Sequence, residues 1–157
     1  MDIEFLGDHI EVIPVLAAWI YDEWSYLYPK MTLQDVVSLL RERVNKEKLP
    51  LTLVAFDEGE PVGTVSLRTF DMETREDLPH WLTGLYVVKP WRRRTIGSSL
   101  VQTAEKKAIE LEICKLFLFT TDVILPELFY SKLGWTVHEK KIYHSYPVII
   151  MEKNLCR

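Results

Sequence analysis

Two kinds of hydrophobic spacing run along the chain, and together they predict an α/β protein. Some segments repeat apolar residues every three to four positions, as helices do, whereas other short segments are β-branched, aromatic or uniformly apolar, as strands are. Strands are predicted at 3–6, 51–56, 62–70, 81–88, 116–120, 134–139 and 148–152. Helices are predicted at 8–28, 32–47, 97–112 and 126–133, the first two with Asp8 and Thr32 as N-caps. The predicted order is therefore β-α-α-β-β-β-α-β-α-β-β.

The segment 81–88 is apolar on both faces, which favours a central place in the sheet. A polar loop at 71–80 precedes it, and no repeat, linker or low-complexity tract interrupts the pattern. A length of 157 residues suits one domain, so residues 1–157 are predicted to fold as a single unit.

The turn after this central strand has the composition of a phosphate-binding site. Pro90 ends the apolar run, three arginines follow at 92–94, and small residues then open a strongly periodic helix. The unpaired N–H groups and the dipole of a helix N-terminus favour a bound anion. Arginine side chains add charge and planar donors. The alternatives are a solvated basic patch or a contact to nucleic acid.

Residues 85–100, LYVVKPWRRRTIGSSL, resemble motif A of the GNAT superfamily, the acyl-CoA-dependent N-acetyltransferases. That motif is Gln/Arg-x-x-Gly-x-Gly/Ala, and Arg92 and Gly97 match its first and last positions. A second block at 128–135, LFYSKLGW, is similar to motif B of the family. The resemblance implies the GNAT fold, an α/β (α+β) architecture with a mixed, mostly antiparallel sheet of six to seven strands and about four helices.

The resemblance also implies acetyl-CoA as co-substrate and names the residues that would hold it. Main-chain groups of Leu85, Tyr86 and Val87 would pair with the pantetheine arm. The diphosphate would lie against the turn and the start of the helix, which comprise Arg92, Arg93, Arg94, Thr95, Ile96, Gly97 and Ser98. No metal is implied.

Thr95 departs from the motif, because the family has its first glycine at this position. Glycine there permits a positive φ and a close approach to phosphate, which a β-branched residue resists. Three outcomes stay open: the threonine hydroxyl replaces the lost contact, the shortened turn needs no positive φ, or CoA binding is weakened.

Tyr130 matches the family's tyrosine that lies near the thioester sulfur and protonates the leaving thiolate. Val123 stands near the position of an asparagine that the family often carries. For the general base, the residues before the central strand offer His80 and Glu73, and His80 has the intrinsic pKa best suited to neutral pH. A bound water is the alternative base.

The acceptor is expected to be an amine, carried by a small molecule or by a protein. The family's acceptor pocket borders the first helix, so Trp24 and Tyr28 are candidates for its lining, and Trp81 is a third at the mouth of the central strand. Transfer is expected to be direct, in a ternary complex. The alternative function is a catalytically inactive GNAT-fold module that binds CoA or a protein partner.

Composition narrows the partners and the compartment. A net charge of −4 argues against a nucleic-acid-binding protein, and no apolar run reaches the length of a membrane span. The N-terminus has no evident signal peptide, and Cys114 and Cys156 show no metal or disulfide pattern. Reduced thiols in a cytoplasmic protein are therefore expected. The resemblance allows a homodimer through the C-terminal strands.

Overall fold

A computed structural model describes residues 1–121 and 124–156, which form one seven-stranded sheet with helices on both faces. The strands are β1 (Asp2–Phe5), β2 (Leu51–Asp57), β3 (Glu60–Arg68), β4 (Trp81–Val87), β5 (Lys115–Thr121), β6 (Thr136–Tyr143) and β7 (Tyr146–Asn154). The helices are α1 (Ile13–Trp24), α2 (Leu33–Glu42), α3 (Ile96–Glu110) and α4 (Ile124–Lys132). This order matches the one predicted from the hydrophobic pattern.

The sheet order is β1-β2-β3-β4-β5-β7-β6, and β4 occupies its middle. Neighbouring strands are antiparallel throughout except for β4 and β5, which are parallel. The predicted mixed, mostly antiparallel sheet with a central β4 is therefore confirmed.

Each face of the sheet is covered by apolar residues of different helices. On one face, Leu100, Val101 and Ala104 of α3 pack against inward-facing residues of β2, β3 and β5. On the other face, α1 and α2 bury residues such as Leu16 and Leu40 against β2. The longest helix, α3, has 15 residues, and none of the helices described here is long and apolar enough to cross a membrane.

The first two helices begin and end differently from the prediction. Thr32 caps α2, since its hydroxyl accepts from Asp35 N at 3.1 Å while the Asp35 carboxylate accepts from Thr32 N at 2.9 Å. In contrast, the expectation that Asp8 caps a helix is wrong. Short 3₁₀ turns occupy 6–8 and 10–12, α1 begins only at Ile13, and Asp8 pairs with Lys46 at 2.9 Å.

The two cysteines form a disulfide, so the expectation of reduced thiols is wrong. Cys114 precedes β5, Cys156 follows β7, and their Cα atoms are 4.9 Å apart. A separation of 42 residues gave no sign of this pairing in the sequence, because the antiparallel pairing of β5 with β7 is what brings the two ends together. Disulfides are typical of oxidising compartments, so the two cysteines do not support a cytoplasmic location.

Candidate functional site

The sheet opens between its two parallel strands. β4 and β5 pair at a single position, Trp81 opposite Phe117, where Phe117 N donates to His80 O at 3.0 Å. No further pairing joins these strands in the described residues, although both continue for several residues toward their carboxyl ends. One edge of the β4 main chain therefore faces an open gap.

A bulge at Gly84 accompanies this opening. Thr83 lies opposite Ser66 and Tyr86 lies opposite Thr64, so two residues of β4, Gly84 and Leu85, face one residue of β3. Gly84 has φ +66°, a conformation that glycine adopts at little cost. A bulge bends the strand that carries it, which directs β4 away from β5. A glycine inside a predicted strand is the signal that sequence reasoning passed over.

The gap leads into a cavity of about 500 Å³. Its walls come from β4 and β5, from the region of α1 and α2, and from α4. Members of its lining include Trp24, Tyr28, Thr83, Gly84, Leu85, Phe119, Thr120, Phe129 and Tyr130. Both the opened strand and the residue that resembles the family's catalytic tyrosine therefore border one space.

The turn at 92–98 has the backbone geometry of an anion nest. Arg93 and Thr95 have φ values of 65° and 66°, on either side of a residue without positive φ. The first main-chain bond at the start of α3 runs from Ser99 N to Thr95 O at 2.9 Å, so the amides of 96–98 precede it. Left-handed residues alternating with ordinary ones direct successive N–H groups to one side, where they bind anions.

Thr95 resolves one of the questions that the motif raised. The turn does require positive φ, and threonine adopts it at a cost of about 1–2 kcal/mol. Its hydroxyl donates to Arg94 O at 2.5 Å, and the Ser98 hydroxyl donates to Thr95 O at 3.0 Å. Both hydroxyl groups therefore brace the turn from within.

The arginines of the turn differ in their surroundings. Arg92 Nε donates to Val87 O at 2.7 Å, and its guanidinium lies over the ring of Tyr86 at 5.4 Å from the centroid. Arg94 lies over the Trp91 ring at 5.0 Å, and the side chains at 92–95 are exposed. Arg92 thus fixes the turn to the end of β4 and occupies the Val87 carbonyl that was expected to face pantetheine.

Gly97 allows helix α3 to begin close to α4 and β4. A Cβ atom at this position would lie 3.3 Å from the Phe129 ring and 3.9 Å from the Val87 side chain. Ile96, next to it, is buried in the main core, so only its main chain is available to a ligand. The glycine of the motif is used here for close packing.

Tyr130 lies on α4 with its ring against Phe129 and Trp135, at centroid distances of 5.0 and 6.2 Å. Burial raises the pKa of the Tyr130 phenol well above its ordinary value. The hydroxyl therefore keeps its proton throughout the neutral range and is able to donate it. The family's asparagine position near Val123 lies outside the described residues.

The cavity continues past Thr83 to a cluster of charged side chains. Asp71 and Arg68 both line it, and Arg68 Nη1 donates to the Asp71 carboxylate at 3.1 Å. Burial raises the pKa of Asp71, although Arg68 and Arg43 oppose the shift. Arg43, the C-cap residue after α2, lines the same space and is only 8% exposed.

A second group of polar side chains lies beside the cavity. Tyr143 donates its hydroxyl hydrogen to Glu73, and His144 Nε2 lies 2.5 Å from the same carboxylate. The Tyr143 hydroxyl oxygen is 3.4 Å from that of Tyr28, which lines the cavity. Burial, followed by the nearby Asp71 carboxylate, raises the pKa of Tyr28 to about 12.

The sequence profile of the Acetyltransferase (GNAT) family matches residues 13–135. The chain belongs to this family. It is 28% identical over 144 residues to the N-alpha-acetyltransferase MAK3 of Arabidopsis thaliana, covering 90% of this chain and 68% of that relative.

Solved structures of other acetyltransferases have the same fold as this GNAT family member. An aminoglycoside 6'-N-acetyltransferase complexed with coenzyme A superposes with a TM-score of 0.77 at 20% identity, over 100% of this chain and 98% of the other. A ribosomal-protein-alanine N-acetyltransferase from Brucella melitensis gives a TM-score of 0.77 at 18% identity, over 98% and 99% of the two chains. The predicted fold class and family are therefore confirmed.

Several predicted site residues of this family member lie together, and others do not. Leu85, Tyr130, Trp24 and Tyr28 all line the cavity. Trp81 does not: it is 0% exposed, and its indole N–H donates to Leu78 O at 2.5 Å. The expectation that it lines an acceptor pocket is wrong, because Trp81 is the core residue at which β4 and β5 meet.

The two candidate bases also lie outside the cavity lining. His80 stands at the start of β4, with φ 74° and its main chain bonded to Thr69 O and Phe117 N. Glu73 lies beside the cavity and is connected to it by hydrogen bonds between Glu73 and Tyr143 and between Tyr143 and Tyr28. Among the described residues, no three His, Cys, Asp or Glu side chains group in a way that could hold a metal ion.

Proposed function

We propose that this chain is an N-acetyltransferase that moves an acetyl group from acetyl-CoA to a primary amine by direct attack in a ternary complex, with residues 1–157 acting as one catalytic domain. The observation that carries the proposal is the gap between β4 and β5, which opens after Trp81 and Phe117 beside an anion nest. Relatives that bind coenzyme A or acetylate amines support it.

The residues of the turn suit the diphosphate of a CoA molecule. The main-chain amides of 93–98 offer donors, and the exposed Arg93 and Arg94 side chains add positive charge. From there, the unpaired edge of β4 leads to Tyr130. Main-chain groups at 84–85 would then pair with the amide groups of the pantetheine arm, as a neighbouring strand does.

Acetyl-CoA would supply an acyl thioester whose carbonyl carbon is attacked by the amine nitrogen, with cleavage of the C–S bond. A main-chain N–H of β4 would stabilise the negative charge that develops on the carbonyl oxygen. Tyr130 would give its proton to the departing sulfur. Because burial raises its pKa, the phenol is protonated at neutral pH and has a proton to donate.

The proton that the ammonium must lose has a route toward solvent. Tyr28 borders the cavity, its hydroxyl adjoins that of Tyr143, and Tyr143 donates to Glu73. A chain of hydroxyl groups ending on a carboxylate can pass a proton in concert, with a cavity water as the first acceptor. Glu73 would therefore be the final proton acceptor of the relay. His80 would contribute only the main-chain hydrogen bonds that hold the start of β4 and would not act as the base.

Calorimetry with acetyl-CoA, followed by assay of CoA release on a panel of primary amines, tests the proposal. Binding with turnover supports it. Binding without turnover on any amine would indicate the inactive CoA-binding module, and absence of binding would contradict both functions. Arg93→Gly keeps the left-handed backbone and removes one charge, so it should lower the affinity for acetyl-CoA several-fold. Arg41→Gly, at an exposed position on α2, should leave that affinity unchanged.

The relay has its own readout in the pH profile. Tyr143→Phe interrupts the path to Glu73, so kcat should fall several-fold near pH 7 and recover at higher pH, where the free amine no longer needs a base. An unchanged profile would remove Tyr143 and Glu73 from the mechanism.

A further inference from the structure

Arg43 is a buried cation without a carboxylate partner in the described residues. Arg43 is the C-cap residue directly after α2, is 8% exposed, and forms part of the cavity wall. Its hydrogen bond to the protein runs from Nη1 to Ser66 Oγ at 3.4 Å, and no carboxylate of residues 1–121 or 124–156 lies within ion-pair distance. Most of its five donors are therefore directed elsewhere.

The protein compensates this charge only in part, through carboxylates that form no ion pair with it among the described residues. Ser66 Oγ also bonds Thr52 Oγ1 at 2.7 Å, and a shared neutral hydroxyl does not balance a guanidinium. The Asp71 carboxylate acts on Arg43 through its charge, but its hydrogen bond is to Arg68. Burial, together with the charge of Arg68, lowers the pKa of Arg43 to about 10, so it remains charged at neutral pH. Unpaired buried charges are rare because their loss of hydration is so costly.

Among the described residues, every fully buried side-chain nitrogen or oxygen has a hydrogen-bond partner. A side-chain nitrogen without such a partner must therefore border open space. The guanidinium nitrogens of Arg43 that form no hydrogen bond to the protein therefore reach the cavity that the residue lines. An anionic group entering the cavity would find planar, pre-oriented donors there, the arrangement that binds carboxylates in a bidentate manner.

We propose that Arg43 binds the carboxylate of the acceptor, so that the amine acetylated by this protein also carries a carboxylate group. The inference rests on the proposed function and names the substrate class of that same site. Arg68 and Asp71 hold each other beside Arg43, which keeps the positive end of the cavity fixed in place.

The position of Arg43 sets the separation of the two groups on the acceptor. Arg43 contacts Ser66, which lies opposite Thr83, whereas Leu85 borders the cavity with Tyr130. Two residues along a strand span roughly 7 Å. The amine and the carboxylate should therefore be separated by several bonds, as in an ω-amino acid or at the side-chain amine of an amino acid.

The test compares 5-aminovalerate with pentylamine, which carries a methyl group in place of the carboxylate, by titration calorimetry on the intact protein saturated with CoA. We expect 5-aminovalerate to bind at least tenfold more tightly. In Arg43→Met, 5-aminovalerate should lose that advantage while pentylamine binds as before. Arg41→Met, at an exposed position in the last turn of α2, is the matched control and should change neither affinity.

Any of the following results would overturn the inference. Equal affinity for the two amines in the unmutated protein does so without any variant, and so does failure of 5-aminovalerate to bind. Retention of the tenfold preference in Arg43→Met has the same consequence. If pentylamine is acetylated as readily as 5-aminovalerate, the proposed function stands and the inference fails, whereas absence of CoA binding contradicts the proposed function itself.

A pair of short peptides separates a free amino acid from a protein N-terminus as the source of the carboxylate. A peptide that begins with Glu is compared with one that begins with Gln in the same titration. Preference for the Glu peptide, lost in Arg43→Met, assigns the site to acidic N-termini. Preference for 5-aminovalerate alone assigns it to free amino acids.

Discussion

At the scale of single residues, Tyr130 is the side chain whose chemistry bears most directly on acetyl transfer. Its hydroxyl is the proton donor of the proposed reaction and makes no contribution to the anion nest. Tyr130→Phe should therefore lower kcat by about ten- to a hundredfold, with little change in the affinity for acetyl-CoA. Tyr146→Phe, at an exposed position, is the control. Equal turnover of Tyr130→Phe and the unmutated protein would remove Tyr130 from the mechanism.

The raised phenol pKa values also predict how stability depends on pH. Tyr28, Tyr130 and Tyr143 all have pKa values raised mainly by burial. Above pH about 10 the unfolded chain ionises these groups and the folded chain does not, so the free energy of unfolding falls as pH rises. The contribution is fully present below pH 10.

Urea denaturation at pH 9 and pH 11 measures this loss. Tyr130→Phe removes one raised phenol, so its loss of stability between the two pH values should be smaller by about 1 kcal/mol. An identical loss in both proteins would contradict the raised pKa of Tyr130.

Thr95 combines backbone strain with an internal hydrogen bond, and two substitutions separate these effects. Thr95→Gly relieves the positive φ but loses the bond to Arg94 O, so stability should change by less than about 1 kcal/mol. Thr95→Val keeps the strain and loses the bond, and should cost about 1–2 kcal/mol. Thermal denaturation measures both, and a Val variant more stable than the Gly variant would contradict this account.

At the scale of elements, the bulge in β4 is the feature that connects local conformation to the opened sheet. Gly84 and Gly59 both have positive φ, and a Cβ at either would meet nothing within 4 Å. Alanine at each should therefore cost a similar amount, about 1 kcal/mol. Gly59 lies in the β2–β3 turn, away from the cavity.

Only Gly84→Ala should also weaken acetyl-CoA binding, because only this change disturbs the strand edge that borders the gap. Calorimetry on the two variants, with their unfolding free energies as reference, makes the comparison. Equal loss of affinity in both variants would mean that the bulge has no part in binding.

Elements with strong local signals were predicted well, and those fixed by distant contacts were not. Thr32 and Asp35 form a capping box within four residues, so the start of α2 could be predicted. Asp8 has the same chemistry but pairs with Lys46, which is remote in sequence. The bulge depends on the register in which β3 pairs with β4, and a single glycine within a strand does not predict this register.

At the scale of the whole molecule, the disulfide ties the segment after β7 to the start of β5 across a separation of 42 residues. Closing a loop of this length restricts the unfolded chain and stabilises the fold by up to about 4 kcal/mol. Reduction should therefore lower the melting temperature by several degrees. The double variant Cys114→Ala, Cys156→Ala should melt at the lower temperature with or without reductant, and sensitivity of this variant to reductant would contradict the assignment.

The candidate site divides in the same way between local and distant determinants. The turn at 92–98 and Tyr130 belong to contiguous motifs, so the sequence could single them out as candidates. Trp81 and Arg43 illustrate this: the aromatic residue expected to line the acceptor pocket belongs to the core, and an arginine that the sequence did not single out lines the cavity. Which side of a strand or helix end faces the gap depends on the whole sheet, and no local pattern carries that information.

The most direct test of the central claim is a crystal structure of the protein grown with CoA. We expect diphosphate oxygens about 2.7–3.2 Å from main-chain nitrogens of 93–98 and the pantetheine arm paired with β4 in the gap. A CoA molecule bound elsewhere, or β4 and β5 paired along their full length, would contradict the account.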